Sequence, residues 1–216
     1  GILTEAKLFA DCRASPQSRA MQHLFMAERQ VGKLTGVPAG TKPRPIRQVG
    51  VLGGGTMGRG IAMAFANAGL DVTLVENDAD SLRRALQGID DIYGASVAKG
   101  RLAASERDAC RARLRGSVAM QDFASADLVV EAVFEDMPLK KRIFADLDRI
   151  CRPGAILSTN TSALDIDQIA AATSRPQDVL GLHFFSPAHV MRLLEIVRGK
   201  ATGKNVIATC MQLAKK

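Results

Sequence analysis

Apolar runs alternate with polar, helix-spaced segments along this chain, and the pattern divides it into three unequal parts. In residues 1–30, Leu8, Phe9 and Cys12, then Met21, Leu24 and Phe25, recur at helical spacing and predict two helices. Ser15-Pro16-Gln17-Ser18 interrupts them, with Ser15 placed to cap the second helix and Pro16 in its first turn. Residues 31–45 contain three Gly and three Pro with little apolar periodicity, which reads as a linker. From Ile46 onward, apolar runs near 47–52, 71–76, 117–120, 127–132, 155–158, 179–183 and 192–197 predict strands. Helical patterns over 57–68, 78–99, 105–114, 137–150 and 203–216 fill most of the gaps. This alternation predicts an α/β fold, a doubly wound and mostly parallel sheet of the Rossmann type. The stretch from Asp78 to Arg115 exceeds an ordinary crossover and predicts a helical insert. The expected organisation is therefore a helical connector and linker over 1–45, a nucleotide-binding domain over 46–200, and the start of a further helical part over 201–216. The last helical pattern ends at Lys215-Lys216 without a stop signal, so a piece of a longer polypeptide is expected.

Composition narrows the class. The 216 residues are 47% hydrophobic, with no run long enough to span a membrane and no signal-peptide pattern. Cys12, Cys110, Cys151 and Cys210 are widely scattered, without a C-x-x-C pair. That favours free thiols in a reducing compartment, here expected to be the cytoplasm, over a disulfide framework or a metal site. The formal charge of +7 raises the question of nucleic acid. Residues 1–50 carry eight Lys/Arg against three Asp/Glu, so most of the excess lies outside the α/β region. Arg107, Arg111 and Arg115 recur at helical spacing as a solvated face. One Tyr and no Trp leave no stacking platform, which argues against a nucleic-acid partner.

The chemistry begins at Val49-Gly50-Val51-Leu52-Gly53-Gly54-Gly55-Thr56-Met57-Gly58, an apolar strand running into G-x-G-x-x-G and then a helix. Each glycine has a separate reason. Gly53 allows the tight turn, Gly55 lets a pyrophosphate approach the backbone, and Gly58 lets helix and strand pack closely. Thr56 and Met57 open the helix, whose N–H groups and partial positive charge suit a diphosphate. Glu76 ends the next apolar run, 18 residues beyond Gly58, where a carboxylate accepts from a ribose diol and repels a 2′-phosphate. A dinucleotide site that takes NAD in preference to NADP is expected.

A second cluster comes late in the chain. It comprises Asn160-Thr161-Ser162, Gly181-Leu182-His183-Phe184-Phe185-Ser186-Pro187, and Glu195. His183 ends an apolar strand, and ligands of open α/β sheets lie beyond the carboxyl ends of the strands. Glu195 sits within Leu193-Leu194-Glu195-Ile196-Val197, where an unpaired carboxylate would be costly to bury. An imidazole partner would relieve that cost and fix the tautomer a general base needs. Taken singly, His183 also fits a hydrogen-bonded structural histidine and Glu195 a surface residue of an edge strand. His23 and His189 have no comparable partner in view.

These motifs carry a resemblance. VGVLGGGTMGRGIA, ADLVVEAVFED, STNTSAL and GLHFFSPAHVMRLLEIV, in that order over roughly residues 46–200, resemble the NAD-binding domain of the (S)-3-hydroxyacyl-CoA dehydrogenases. The first 29 residues resemble the helical connector of multifunctional fatty-acid β-oxidation proteins, in which an enoyl-CoA hydratase domain precedes the dehydrogenase. The resemblance implies NAD-dependent oxidation of (S)-3-hydroxyacyl-CoA to the 3-ketoacyl-CoA. It assigns His183 as the base that takes the 3-hydroxyl proton, Glu195 as its partner, and Ser162 as a hydrogen-bond donor to the 3-oxygen. It places Asn160 at the nicotinamide pocket, Glu76 at the adenosine ribose, and Ala132, Glu135 and Lys140 at cofactor-contacting positions. For Glu135 and Lys140 a surface ion pair at a helix start is the competing reading, and for Lys99 a solvated lysine competes with a CoA phosphate contact. Implied partners are an acyl-CoA thioester substrate and a parent protein with a hydratase domain; a thiolase subunit and self-association are left open. Family members continue into an all-helical domain, so this chain is expected to bind NAD(H) with little turnover. Alternative readings are a 3-hydroxybutyryl-CoA or other β-hydroxyacid dehydrogenase, and a non-catalytic NAD-binding module.

Overall fold

The computed structural model describes all 216 residues and divides into two compact units, Gly1–Ala39 and Gly40–Lys216. In the first unit, α1 (Ile2–Ala14) and α2 (Pro16–Val31) meet at Ser15, whose Oγ accepts from the Ser18 N–H at 3.1 Å. That is the N-cap the Ser-Pro step predicts. Neither helix buries a residue, and Leu8, Phe9, Met21 and Phe25 are exposed. The Arg29 guanidinium lies 4.4 Å from the Phe25 ring centroid.

The second unit is built on seven strands: β1 (Gln48–Leu52), β2 (Asp71–Val75), β3 (Leu114–Ser117), β4 (Leu128–Glu131), β5 (Ile156–Thr159), β6 (Val179–Phe184) and β7 (Leu194–Val197). Their order is β3-β2-β1-β4-β5-β6-β7, with every neighbouring pair parallel except β6 and β7. The chain winds outward from β1 in both directions, so the sheet reverses between β1 and β4. Two apolar layers cover it. One joins Val51, Leu74 and Val130 to Ile61 and Phe65 of α3 (Thr56–Asn67) and Ile89 of α4 (Ala79–Ala98). The other joins Val129 and Leu157 to Phe144 and Leu147 of α6 (Met137–Ile150) and Ile169 of α7 (Ile166–Ala170). Strands covered on both faces need apolar side chains at every position, which is why Leu128, Val129 and Val130 form an unbroken run.

Several boundaries differ from those the apolar pattern predicts. β3 runs over 114–117 instead of 117–120, because its register pairs Leu114 with Val72 and Ser117 with Val75, leaving Val118 exposed. α4 and α5 (Ala104–Ala112) form the predicted insert, joined by the Arg111–Asp90 pair at 2.7 Å. The short α7 was not predicted; five residues carry too little periodicity. The stretch from 201 onward, expected to open a further part, packs against the sheet. α8 (Lys204–Leu213) buries Val206 and Cys210 in the same core as β1, β2 and β4. Its Thr209 Oγ1 accepts from the Arg44 N–H at 2.8 Å, and Arg44 also donates to Gly154 O at 2.9 Å and Asp178 at 2.7 Å. The end of the expected linker is thus held to the α/β unit.

Candidate active site

The glycine turn lies at the carboxyl end of β1, where the sheet reverses and a crevice opens. Gly53 has φ +95°, which favours glycine. A Cβ on Gly58 would stand 1.7 Å from the Gly53 carbonyl oxygen, so only hydrogen lets α3 start this close to the strand. A Cβ on Gly55 would meet nothing within 4 Å, since that residue faces open space. Gly55 is also the N-cap of α3 and has no side chain to satisfy the first N–H groups, which leaves them for an anion.

Glu76 closes the adenosine side. Its Oε1 accepts from Gly54 N–H at 2.6 Å and its Oε2 from Asn77 N–H at 3.1 Å, fixing the carboxylate at the rim. Gly54 is a requirement that the motif alone does not reveal, because its Cβ would come within 2.5 Å of the Ala85 Cβ. A cavity of about 400 Å³ lies here, with Gly53, Gly55, Thr56, Met57, Glu76 and Ala132 in its walls. Phe134 also lines it, 84% exposed on the loop after β4, and nothing in the apolar pattern marked it out. A second cavity of about 390 Å³ shares Met57, Ala132 and Val133 with the first. The two therefore adjoin, and together they reach as a cleft from the glycine turn to the histidine cluster. The residues fit a dinucleotide: a bare glycine face, free helix N–H groups and a fixed acceptor for a ribose.

Asn160, Ser162, His183, Glu135 and Lys140 line the second cavity. Antiparallel register sets His183 directly opposite Glu195, which explains their separation of 12 residues in the chain. His183 Nδ1 lies 2.8 Å from Glu195 Oε2. This contact assigns the Nδ1–H tautomer and leaves Nε2 as the lone-pair nitrogen. The Phe185 ring packs against the imidazole at 4.6 Å between centroids. Asn160 Oδ1 accepts from Phe184 N–H at 2.8 Å, tying the end of β5 to the strand that carries His183.

Lys140 corrects the surface-pair reading. It is 1% exposed and its Nζ lies 2.7 Å from Oε1 of Glu131, a fully buried residue that the sequence pattern did not single out. The same Oε1 accepts from Val133 N–H at 2.8 Å, and Oε2 accepts from Thr159 Oγ1 at 2.6 Å. Lys140 Nζ also stands 3.4 Å from Glu135 Oε2. Glu135 in turn accepts from the Thr161 hydroxyl and, at 3.1 Å, from Ser162 N–H. Burial pushes the Glu135 carboxyl upward, but the Thr161 hydrogen bond and the Lys140 charge outweigh it, and the group titrates below its ordinary value. Lys99 and His23, by contrast, are exposed, and His189 lies in a separate apolar hollow with Phe65 and Met191.

An open parallel sheet, a glycine turn at its switch point and a histidine–carboxylate pair at the far end of the same cleft define a dinucleotide-dependent oxidoreductase domain. Residues 48–216 match the family described as 3-hydroxyacyl-CoA dehydrogenase, NAD binding domain, and the chain belongs to that family. Over its whole length the chain is 49% identical to the peroxisomal bifunctional enzyme of Cavia porcellus and 44% identical to that of Homo sapiens. It spans 30% of the length of each. Among solved structures, 3-hydroxybutyryl-CoA dehydrogenase from Escherichia coli superposes with a TM-score of 0.78 at 40% identity, over 80% of this chain and 36% of that one. The dehydrogenase part of multifunctional enzyme 1 from C. elegans gives 0.74 at 36% identity, over 81% of this chain and 40% of that one.

Proposed function

We propose that the polypeptide carrying this domain oxidises (S)-3-hydroxyacyl-CoA thioesters to 3-ketoacyl-CoA, with NAD as the hydride acceptor, as part of fatty-acid β-oxidation. The observation that carries the reading is the His183–Glu195 contact at 2.8 Å, at the end of the cleft that begins at the glycine turn. NAD, when bound, supplies the two-electron acceptor. Gly53, Gly55 and the N–H groups of Thr56 and Met57 hold its diphosphate, and Glu76 accepts from the adenosine ribose. Ala132 and Asn160 shape the nicotinamide end.

His183 Nε2 takes the proton of the substrate's 3-hydroxyl, and Glu195 stabilises the imidazolium that forms. In the reverse direction the same nitrogen returns the proton. Ser162, in the wall that His183 also lines, donates to the 3-oxygen and orients it. The names of the relatives place them in peroxisomes, which favours that compartment over the cytoplasm expected from composition. A hydratase domain elsewhere in the polypeptide accords with the word bifunctional in those names.

Single-turnover NADH oxidation by acetoacetyl-CoA, with the chain in excess, tests the assignment through the absorbance of NADH. A slow oxidation that falls by roughly 10²–10⁴ in His183→Gln is expected, the range for losing a positioned base. An equal rate in the variant would remove His183 from the chemistry.

A further inference from the structure

Three charged side chains meet at the nicotinamide cavity, Glu135 and Lys140 in its wall and Glu131 buried behind them, and their charges do not cancel. Lys140 supplies one ammonium, shared between Glu131 at 2.7 Å and Glu135 at 3.4 Å. Glu131 is surrounded by donors: the Val133 amide, the Thr159 hydroxyl and the ammonium. Glu135 accepts from Thr161, Ser162 and Lys140, which hold its carboxyl below the ordinary value. With two carboxylates and one ammonium, the cluster has a formal net charge of −1. His183 is the remaining titratable group in the cavity wall, and its partner Glu195 is half exposed to solvent.

The nicotinamide ring is cationic in NAD and neutral in NADH, whereas the rest of the dinucleotide is the same in both. Contacts to adenosine and diphosphate cancel in the ratio of the two affinities, and a fixed charge beside the ring does not. We infer that the Glu131–Lys140–Glu135 cluster biases the site toward the oxidised dinucleotide, with Glu135 supplying the uncompensated charge. This inference rests on the NAD-binding reading given above. Glu131 and Lys140 act as positioning residues: their buried pair fixes the loop between β4 and α6 from which Glu135 reaches the cavity. NAD is held more tightly relative to NADH than it would be over a neutral wall, which favours exchange of product NADH for NAD in the oxidative direction.

Glu135→Gln removes the charge and keeps a carbonyl oxygen to accept from Thr161 and Ser162, while Glu135→Asp keeps the charge. Dissociation constants for NAD and for NADH, measured by titration calorimetry on the wild-type chain and both variants, separate charge from structure. The ratio Kd(NAD)/Kd(NADH) should rise about fivefold in the Gln variant, the scale of one partly solvated unit charge, and stay close to wild type in the Asp variant. An unchanged ratio in the Gln variant, including a parallel loss of both affinities, would overturn the inference. So would an equal rise in the Asp variant. If the wild-type chain bound neither dinucleotide, the NAD-binding reading itself would fall, and the inference with it.

Discussion

Replacing Lys140 by Met keeps most of the side-chain volume and removes the one cation next to Glu131. Glu131 is fully buried and would retain two of its three donors, the Val133 amide and the Thr159 hydroxyl. Stranding one partner of a buried ion pair costs about 3–5 kcal/mol, and two surviving hydrogen bonds place this case near the lower end. A domain of this size loses roughly 2–4 °C of Tm per kcal/mol, so a fall of about 6–12 °C is expected. Urea unfolding followed by far-UV circular dichroism, at pH 7 without cofactor, should show a lower midpoint at an unchanged slope. Adding Glu131→Gln to Lys140→Met should restore at least half of the lost stability, because the uncompensated charge is then gone. A deficit under about 1 kcal/mol in the single variant would refute the reasoning, since it would mean that the pair is solvated and the carboxylate never depended on the ammonium.

Two further outcomes follow from the geometry. Gly58→Ala sets a methyl group 1.7 Å from the Gly53 carbonyl, so the turn must open; calorimetry should show at least a tenfold loss in NADH affinity together with lowered thermal stability. Acid should destabilise the fold through three carboxylates held below their ordinary values. For Asp127, burial acts upward but is outweighed by the Gln48 and Arg47 amides and by Arg152; for Asp148, burial is outweighed by Ser174 and Arg175; Glu135 is described above. A depressed folded value means that the stabilisation is complete above the ordinary values of 3.8 for Asp and 4.5 for Glu and is lost as pH falls through the lower folded values. Urea midpoints should therefore be flat from about pH 7 to 5 and drop below about pH 4. For Asp127→Asn the drop should be shallower.

The parts of the site that are legible in the sequence are those made by local chemistry. Strand, glycines, helix and acid follow one another in a single βαβ stretch, so Gly53, Gly55, Gly58 and Glu76 each have a physical reason in the local pattern alone. His183 and Glu195 are legible because each ends or occupies an apolar run, and the antiparallel β6–β7 register then sets them face to face. Glu131 is not legible. A carboxylate at the end of Leu128-Val129-Val130 reads as the boundary where a strand meets solvent, and its partner lies nine residues on in a helix. Lys140 stands beside Lys141 and resembles one half of a solvated pair; only the packing of α6 on the sheet turns one of them inward. The apolar pattern shifts β3 toward Val118 and Met120, which are more apolar than Arg115 and Gly116, yet pairing with β2 decides the register. In the first unit, apolar periodicity correctly marks helices, but those helices bury none of the residues that produce it.

The central claim is that the cleft from Gly53 to His183 is an NAD site. It is tested most directly by titrating NADH into the wild-type chain while following the enhancement of nicotinamide fluorescence, with NADPH in parallel. One-to-one binding of NADH in the micromolar range, with NADPH at least tenfold weaker because Glu76 repels its 2′-phosphate, is the predicted result. Absence of binding up to millimolar NADH, or equal affinity for the two dinucleotides, would contradict the account.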